Sequence, residues 1–414
     1  MVRNANNILT GFQLLTMYNK LSNQRIRSID AFRGITILVM IFVNDVAGVS
    51  NIPGWMKHKA ADADAMTFVD VVFPAFLFIV GMSLPFALNN RIKKGDSFWK
   101  LQGHILWRTL GLLVLGVFMV NGEGSFNEKA TGLSLAVWSL LFYGCIILVW
   151  NVYSFKNKTW SLVLRLAGAT GLLVLGWIFR GREDGSERLS PHWWGILGLI
   201  GWAYLFSCII YQLFRGKISL LLIAIAGCIG WYCVSRAEFA KDVSVLQWMA
   251  QRAGHAAHTS IVLCGVVLSL IFFEEKKKWP PRSRFLFAGF FAIAAAVAAW
   301  VLRPYYTISK IYATPSWCLY SVVSCIVLFS FLYWLIDRKG LQKWTLFFQP
   351  AASNPLLIYI LPGIVMFVQE LFHFYFTPAY WHNGLPGIAW SACFAVLMML
   401  LVMLLNKMKI RLHL

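Results

Sequence analysis

The sequence predicts an all-α polytopic membrane protein with about twelve transmembrane helices and both termini cytoplasmic. Three observations carry that prediction. Apolar residues make up 59% of the 414-residue chain and charged ones only 13%, with a mean hydropathy of +0.66, far from the balance of a soluble domain. Twelve apolar runs approach the ~20 residues that a helix needs to cross a bilayer core. The cations, finally, lie almost entirely between those runs.

In chain order the runs fall at 33–50, 66–89, 101–120, 132–152, 159–179, 192–214, 218–235, 255–273, 284–302, 316–336, 351–372 and 386–406. The narrowest division is the "RGK" between the sixth and seventh. Residues 1–24 are mixed and polar, without strong periodicity. They are expected as a tail or a surface helix, with 25–414 forming the transmembrane domain. No cleavable signal pattern precedes the first run, and Met17 is an alternative start. The inverted sequence repeat of many transporters is not seen.

Charge orients the chain. With the N-terminus in the cytoplasm, 23 of the 37 Lys and Arg residues fall in cytoplasmic segments and 11 in the opposite loops, while Arg33, Arg108 and Arg165 lie within runs. That asymmetry is what the positive-inside rule requires. It also accounts for the net charge of +20 without nucleic acid, whose binders gather cations on one soluble face. Twelve of the 17 carboxylates and six of the eight histidines fall on the outer half, so acid–base chemistry is expected there.

The eight cysteines all sit in apolar stretches and form no C-x-x-C pair, which argues against a disulfide framework or a zinc site. His255 and His258 are spaced i, i+3, but no third ligand has matching spacing, and no metal is expected. The "EEKKK" run at 274–278 reads as a solvated turn. "WHNG" at 381–384, with His373 and Glu370, lines an outer mouth or caps a loop.

Ionisable groups within a bilayer are costly and usually functional. The first run carries Asp30, Arg33, Asn44 and Asp45. Asp30 and Arg33, spaced i to i+3, can hold the helix end. Asn44 stands eleven residues beyond Arg33, roughly 16 Å further along a helix, where a side-chain amide needs a partner. Asp70 lies one turn into the second run, at about the depth of Asn44. Pro74 follows and frees a backbone carbonyl, and "GMS" offers a small face for close helix approach. His58 is in the loop joining the two runs, so His58, Asn44 and Asp70 are expected to converge.

Those residues carry a resemblance. "RIRSIDAFRGITILVMIFVN", then "KH", then "FVDVVFPAFLFIVG" resemble the heparan-α-glucosaminide N-acetyltransferase family and its bacterial homologues. "KIYATPSWCLYSVVSCIVLFSFLYWLIDRKG" looks like that family's N-K-x-x-x-T/S-x-S helix with its V/I-D-x-K/R-G loop. "NPLLIYI" is similar to its N-x-x-x-V/I-Y helix. The resemblance covers 25–100 and 303–365. The middle departs from it: "TGLSLAVWSLLFYGCII" stands where an R-I-P-G-V-L-Q-R-like motif is usual, and "VLQWMAQRAGHAAHTSIVLCG" stands for D-P-E-G.

The resemblance implies a transmembrane acyltransferase that moves acetyl from cytosolic acetyl-CoA to an extracytoplasmic amino sugar or glycan. It carries catalytic roles onto His58, Asn44 and Asp70. His58 would be the base or a transiently acetylated nucleophile. Asp70 would set its tautomer, and Asn44 would donate to the thioester oxygen. Arg33, Asp30, Arg108, Arg91 and Asn354 are the candidate acetyl-CoA contacts, with Lys93 and Lys94 adding to the basic inner mouth. Short external loops suggest a bacterial inner membrane, and a homodimer is compatible with all of this. The competing class is a proton-coupled secondary transporter of a small polar solute, with Asp45, Asp70 and Glu370 as relay groups. The sequence leaves open the acceptor, N- against O-acetylation, and direct transfer against an acetyl-enzyme.

Overall fold

The computed structural model describes residues 26–124, 126–274, 279–375 and 379–413. The expected tail at 1–24 and residues 275–278 of the charged turn lie outside them. Twelve long helices follow: α1 (Arg27–Val46), α2 (Phe68–Lys93), α3 (Phe98–Glu123), α4 (Leu135–Trp150), α5 (Lys158–Ile178), α6 (Gly195–Leu213), α7 (Ile218–Ser235), α8 (Ala253–Phe273), α9 (Pro281–Leu302), α10 (Pro315–Tyr333), α11 (Pro355–Leu371) and α12 (Gly384–Lys407). Among the described residues, nine helices are long and apolar enough to cross a membrane, α10 being extended for this purpose to Arg338; α4 and α11 are shorter apolar helices, and α1 is not among the nine. No sheet forms among the described residues, only isolated bridges such as Ser50 with Asn383.

Each apolar run has its helix, with ends that differ by a few residues, and two runs depart further. The first helix begins at Arg27 and not at 33, and it ends at Val46. Its polar opening turn is helical, with Asp30 in the first turn, where a carboxylate suits the positive end of the helix dipole. The run at 351–372 is broken: a short helix (Gln349–Ser353) precedes α11, and Asn354 between them has φ −137° and ψ 58°. A residue before proline is pushed out of the helical region, and Pro355 does this here. The "RGK" reversal is a tight turn with Arg215 at φ 51° and Gly216 at φ 64°.

The chain divides into two compact units, with boundaries inside α1, α3 and α6. The first contains Lys57–Leu110 and Leu199–Gln342 with the chain up to Phe32. Its centre is α8, buried along almost its whole length. A methyl group on Gly81 would stand 1.9 Å from the Val262 carbonyl oxygen, and one on Gly265 would stand 2.1 Å from that of Phe78. The two glycines therefore let α2 and α8 pack backbone to backbone, as small residues do in bilayers. Phe272 meets Tyr333 at 4.7 Å and Phe329 at 5.4 Å between ring centroids, joining α8 to α10.

The second unit contains Arg33–Met56, Gly111–Gly198 and Lys343–Leu414. Phe118, Trp138 and Phe142 stack in it, with Phe118 and Phe142 only 5.0 Å apart. The Trp138 indole donates to the Leu175 carbonyl at 3.2 Å. Gly116 faces the Trp194 carbonyl so closely that a methyl there would lie 2.1 Å from it.

Candidate active site

In the first unit, the loop after α1 returns to the start of α2 and places His58 against Asp70. His58 Nδ1 lies 2.7 Å from Asp70 Oδ1, with the His58 side chain 41% exposed and that of Asp70 2%. The local sequence builds this corner. Asp70 occupies the third helical position of α2, and its Oδ2 accepts the Thr67 backbone N–H at 3.0 Å, the carboxylate half of a capping box. The Thr67 hydroxyl donates to the Lys57 carbonyl at 3.0 Å, tying the approach of His58 to the same helix end. The Trp317 indole donates to the Asp70 carbonyl at 3.2 Å.

A second loop, 303–314, meets the first. Arg303 Nε donates to the Asp64 carboxylate at 3.1 and 3.2 Å, and the Ile308 N–H donates to Oδ1 at 2.8 Å. The Ile308 N–H, with Arg303 beside it, holds the Asp64 carboxyl below its ordinary value. This clasp brings in Lys310, whose Nζ lies 3.2 Å from both nitrogens of the His58 ring. Burial lowers the Lys310 pKa, and the nearby Asp70 carboxylate opposes that shift. Lys310, Arg303, Asp64 and Trp317 were not among the residues singled out from sequence. The signal was in hand for one of them, because Lys310 opens the "KIYATPSW" segment.

In the neutral tautomer that donates Nδ1–H to Asp70, the lone pair is on Nε2, an arrangement that suits a general base with its orienting carboxylate. His255 and His258 do other work nearby: the His258 ring is edge-on to Phe73 at 5.2 Å, and His255 is 5.9 Å from Trp202. No group of three potential metal ligands occurs among the described residues.

Asn44 belongs to the second unit. There it lines a cavity of about 850 Å³ with Asp45, Glu123, Tyr143, Tyr359 and His382, walled by Trp138, Phe142 and Trp390 among others. The Asn44 amide has no hydrogen-bond partner among the described residues. Asp45 accepts from the Ser391 hydroxyl at 2.6 Å. Gly363 leaves room for the Tyr143 hydroxyl, which a methyl there would approach to 2.5 Å. Of the lining side chains among the described residues, only His382 is basic. Faces of aromatic rings beside carboxyls, amides and hydroxyls suit a neutral or cationic polyhydroxylated ring better than an anion.

The remaining candidates have the following surroundings. Arg108 stacks its guanidinium over Tyr204 at 4.8 Å, and its Nε is buried without a partner. Arg91 pairs with Asp96 at 2.9 Å, where Lys100 also binds. Arg33 donates to the Ala352 carbonyl at 3.1 Å. Asp30 is half-buried in the first turn of α1. Asn354 is buried, donates to Asn406 at 2.8 Å and the Ile410 carbonyl at 3.0 Å, and accepts the Leu412 N–H at 3.1 Å. Those bonds tie Asn354 to Asn406 in α12 and to the residues that follow it.

Comparison with known proteins adds the following. A family model described as a domain of unknown function, DUF5009, matches residues 25–248. Human heparan-alpha-glucosaminide N-acetyltransferase (Homo sapiens) is 37% identical over 97 residues, which is 23% of this chain and 14% of that protein. The mouse enzyme of the same name (Mus musculus) is 36% identical over 100 residues, 24% of this chain and 14% of that protein. The match thus spans about a seventh of the length of those relatives, and it agrees with the resemblance read from the motifs.

Proposed function

The chain belongs to the DUF5009 family, and on that footing we propose that it is a multi-pass membrane acyltransferase that moves acetyl from acetyl-CoA to an extracytoplasmic amino sugar or glycan. The observation that carries the reading is the 2.7 Å pair between His58 Nδ1 and Asp70 Oδ1 at the head of a membrane helix. The similarity to two N-acetyltransferases supports the reaction class. Nothing comparable favours a transporter.

Acyl transfer needs a base for the acceptor, a partner that orients the base, and a site that receives the acceptor. His58 Nε2 is the base. Asp70 keeps it in the right tautomer and stabilises the imidazolium that forms. Asn44 is an acceptor contact, since its unpartnered amide and the carboxyls of its cavity match hydroxyls and an amine. Among the cationic candidates, Arg108 is the strongest for the CoA phosphates: it is always charged, and one of its nitrogens lacks a partner. Arg33 and Arg91 are the secondary ones. The positive-inside asymmetry supports a reading in which acetyl-CoA binds from the cytoplasm, with both termini there and twelve spans between them; the short external loops favour a bacterial inner membrane.

The test is acetyl transfer in sealed, inside-out vesicles. Acetyl-CoA added outside should acetylate glucosamine or an amino-sugar glycan trapped within, and His58→Ala should abolish the transfer. Transfer that requires both substrates on one face, or full activity in His58→Ala, would overturn the reading.

A further inference from the structure

We propose that Lys310 is a catalytic cation of the transfer, its ammonium stabilising the oxyanion that forms when the acetyl carbonyl is attacked. The proposal rests on the acyltransferase reading above.

The geometry is unusual for a lysine beside a histidine. Nζ is 3.2 Å from Nδ1 and 3.2 Å from Nε2. The two nitrogens flank Cε1, so an atom equally far from both is in line with neither lone pair. A single directed hydrogen bond does not explain its place. Lys310 makes no ion pair with Asp70 either, and Asp70 Oδ1 is already engaged by His58. The ammonium thus lies half-buried beside the reactive ring, with Asp70 near enough to act on it but in no ion pair with a carboxylate among the described residues.

Its position is held from the backbone. The Asp64–Arg303 clasp fixes the start of the loop. Closer in, the Ser309 N–H donates to the Thr314 hydroxyl at 3.0 Å and the Thr314 N–H donates to the Ser309 carbonyl at 3.1 Å. Ala313 takes φ 49° within that turn, a conformation costly for alanine and sustained by its surroundings.

The step balances as follows. The acceptor nitrogen attacks the thioester carbon, a C–N bond forms, and the carbonyl electron pair moves onto oxygen. His58 Nε2 takes the proton from the attacking amine. The tetrahedral intermediate then collapses: the C=O bond returns, the C–S bond breaks, and the CoA thiolate leaves and receives the proton from His58. Before attack, the Lys310 charge faces a neutral ring. As His58 becomes imidazolium, two cations at about 3 Å repel strongly, and the ammonium is driven from the ring toward the oxygen where negative charge has appeared. The interaction is therefore stronger in the transition state than in the ground state, which is what raises kcat.

The groups facing His58 are Asp70 from α2 and Lys310 from the 303–314 loop; Lys57 and Lys59 flank it on its own loop. Two measurements test the proposal with full-length protein in detergent. In acetyl transfer to D-glucosamine, Lys310→Met should lower kcat about 10²–10³-fold, with KM for either substrate within a few-fold, and Lys310→Arg should recover part of the loss. The second needs no turnover. Diethyl pyrocarbonate acylates the neutral imidazole, so the pH midpoint of His58 labelling, read by mass spectrometry, should rise in Lys310→Met, because a like charge has been removed. Near-normal kcat in Lys310→Met, or an unmoved labelling midpoint, would overturn the proposal while leaving the acyltransferase reading intact. A wild-type chain that moves no acetyl overturns that reading and this proposal together.

Discussion

The His58 corner and the Asn44 cavity treat their polar side chains in opposite ways. At the corner the Asp70 carboxylate is 1% exposed by residue and accepts from His58 and from the Thr67 backbone. In the cavity the Asn44 amide is exposed and has no hydrogen-bond partner among the described residues. A polar group that is fully engaged before substrate arrives is preorganised, and its orientation costs nothing at the moment of reaction. One left open in a membrane protein is tolerable only where it lines a cavity and awaits water or a ligand. The first pattern marks chemistry and the second marks recognition. The proposed division of labour between base and acceptor contact rests on that contrast.

The largest expected effect tests the corner. Asp70→Asn keeps the shape of the side chain but replaces the carboxylate with an amide, which can hold the wrong tautomer of His58. The expected loss in kcat is about 10³–10⁴-fold, by analogy with the orienting carboxylate of a catalytic triad. A steady-state assay with amino sugar and acetyl-CoA measures it. A loss under tenfold would mean that Asp70 serves the helix end and little more.

The next effect separates an engaged amide from an open one. Asn354 and Asn44 both lie in the second unit, and only Asn354 has hydrogen-bond partners in the described structure. Asn354→Ala strands the Leu412 N–H and removes both donations to Asn406 and Ile410, for a cost of about 2–3 kcal/mol. Its melting temperature in detergent should fall clearly, while acetyl-CoA binding by the folded fraction stays unchanged. Weakened nucleotide binding at full stability would restore Asn354 as a cofactor contact.

A smaller effect concerns pH. The Asp64 carboxyl is held below the ordinary carboxylate range by the Ile308 N–H and Arg303. A carboxylate with a depressed folded-state pKa contributes stability that is present above the unfolded value and is lost as pH falls through the folded one. The clasp should therefore loosen only below about pH 4. Asp64→Asn should remove that acid-side dependence, and hydrogen exchange of the 303–314 backbone would report it. An acid transition unchanged in Asp64→Asn would assign it to another carboxylate.

How far the sequence reached can be judged from particular residues. A helix lies over every apolar run because a long stretch of high hydropathy marks a segment kept from water, whether by lipid or by other helices. The start of α1 was missed because its opening turn is polar, and the break at Asn354 was missed because an apolar window does not register what Pro355 does to the preceding residue. His58 and Asp70 are twelve residues apart, close enough for a short returning loop to bring together. Lys310 is 252 residues from His58, and no local pattern encodes a contact at that distance. Asn44 was legible as a costly residue, but its lack of a partner is a property of the folded cavity alone.

The smallest expected effect is the sharpest check on the contrast. Asn44→Ala removes an amide that makes no hydrogen bond in the described structure, so the folded state loses no interaction and sheds an exposed polar group. Substitutions of that kind usually stay within about 0.5 kcal/mol, and the melting temperature of the variant should match the wild type. Binding should not match. A cavity wall that donates and accepts toward a sugar hydroxyl loses both functions in alanine, and one such hydrogen bond is worth about 0.5–1.5 kcal/mol, or a two- to tenfold rise in KM for the acceptor with KM for acetyl-CoA unchanged. An Asn44→Ala protein that melts several degrees lower would show that the amide has a structural partner after all. A loss confined to kcat would return Asn44 to the reacting carbonyl and give the cavity a different occupant.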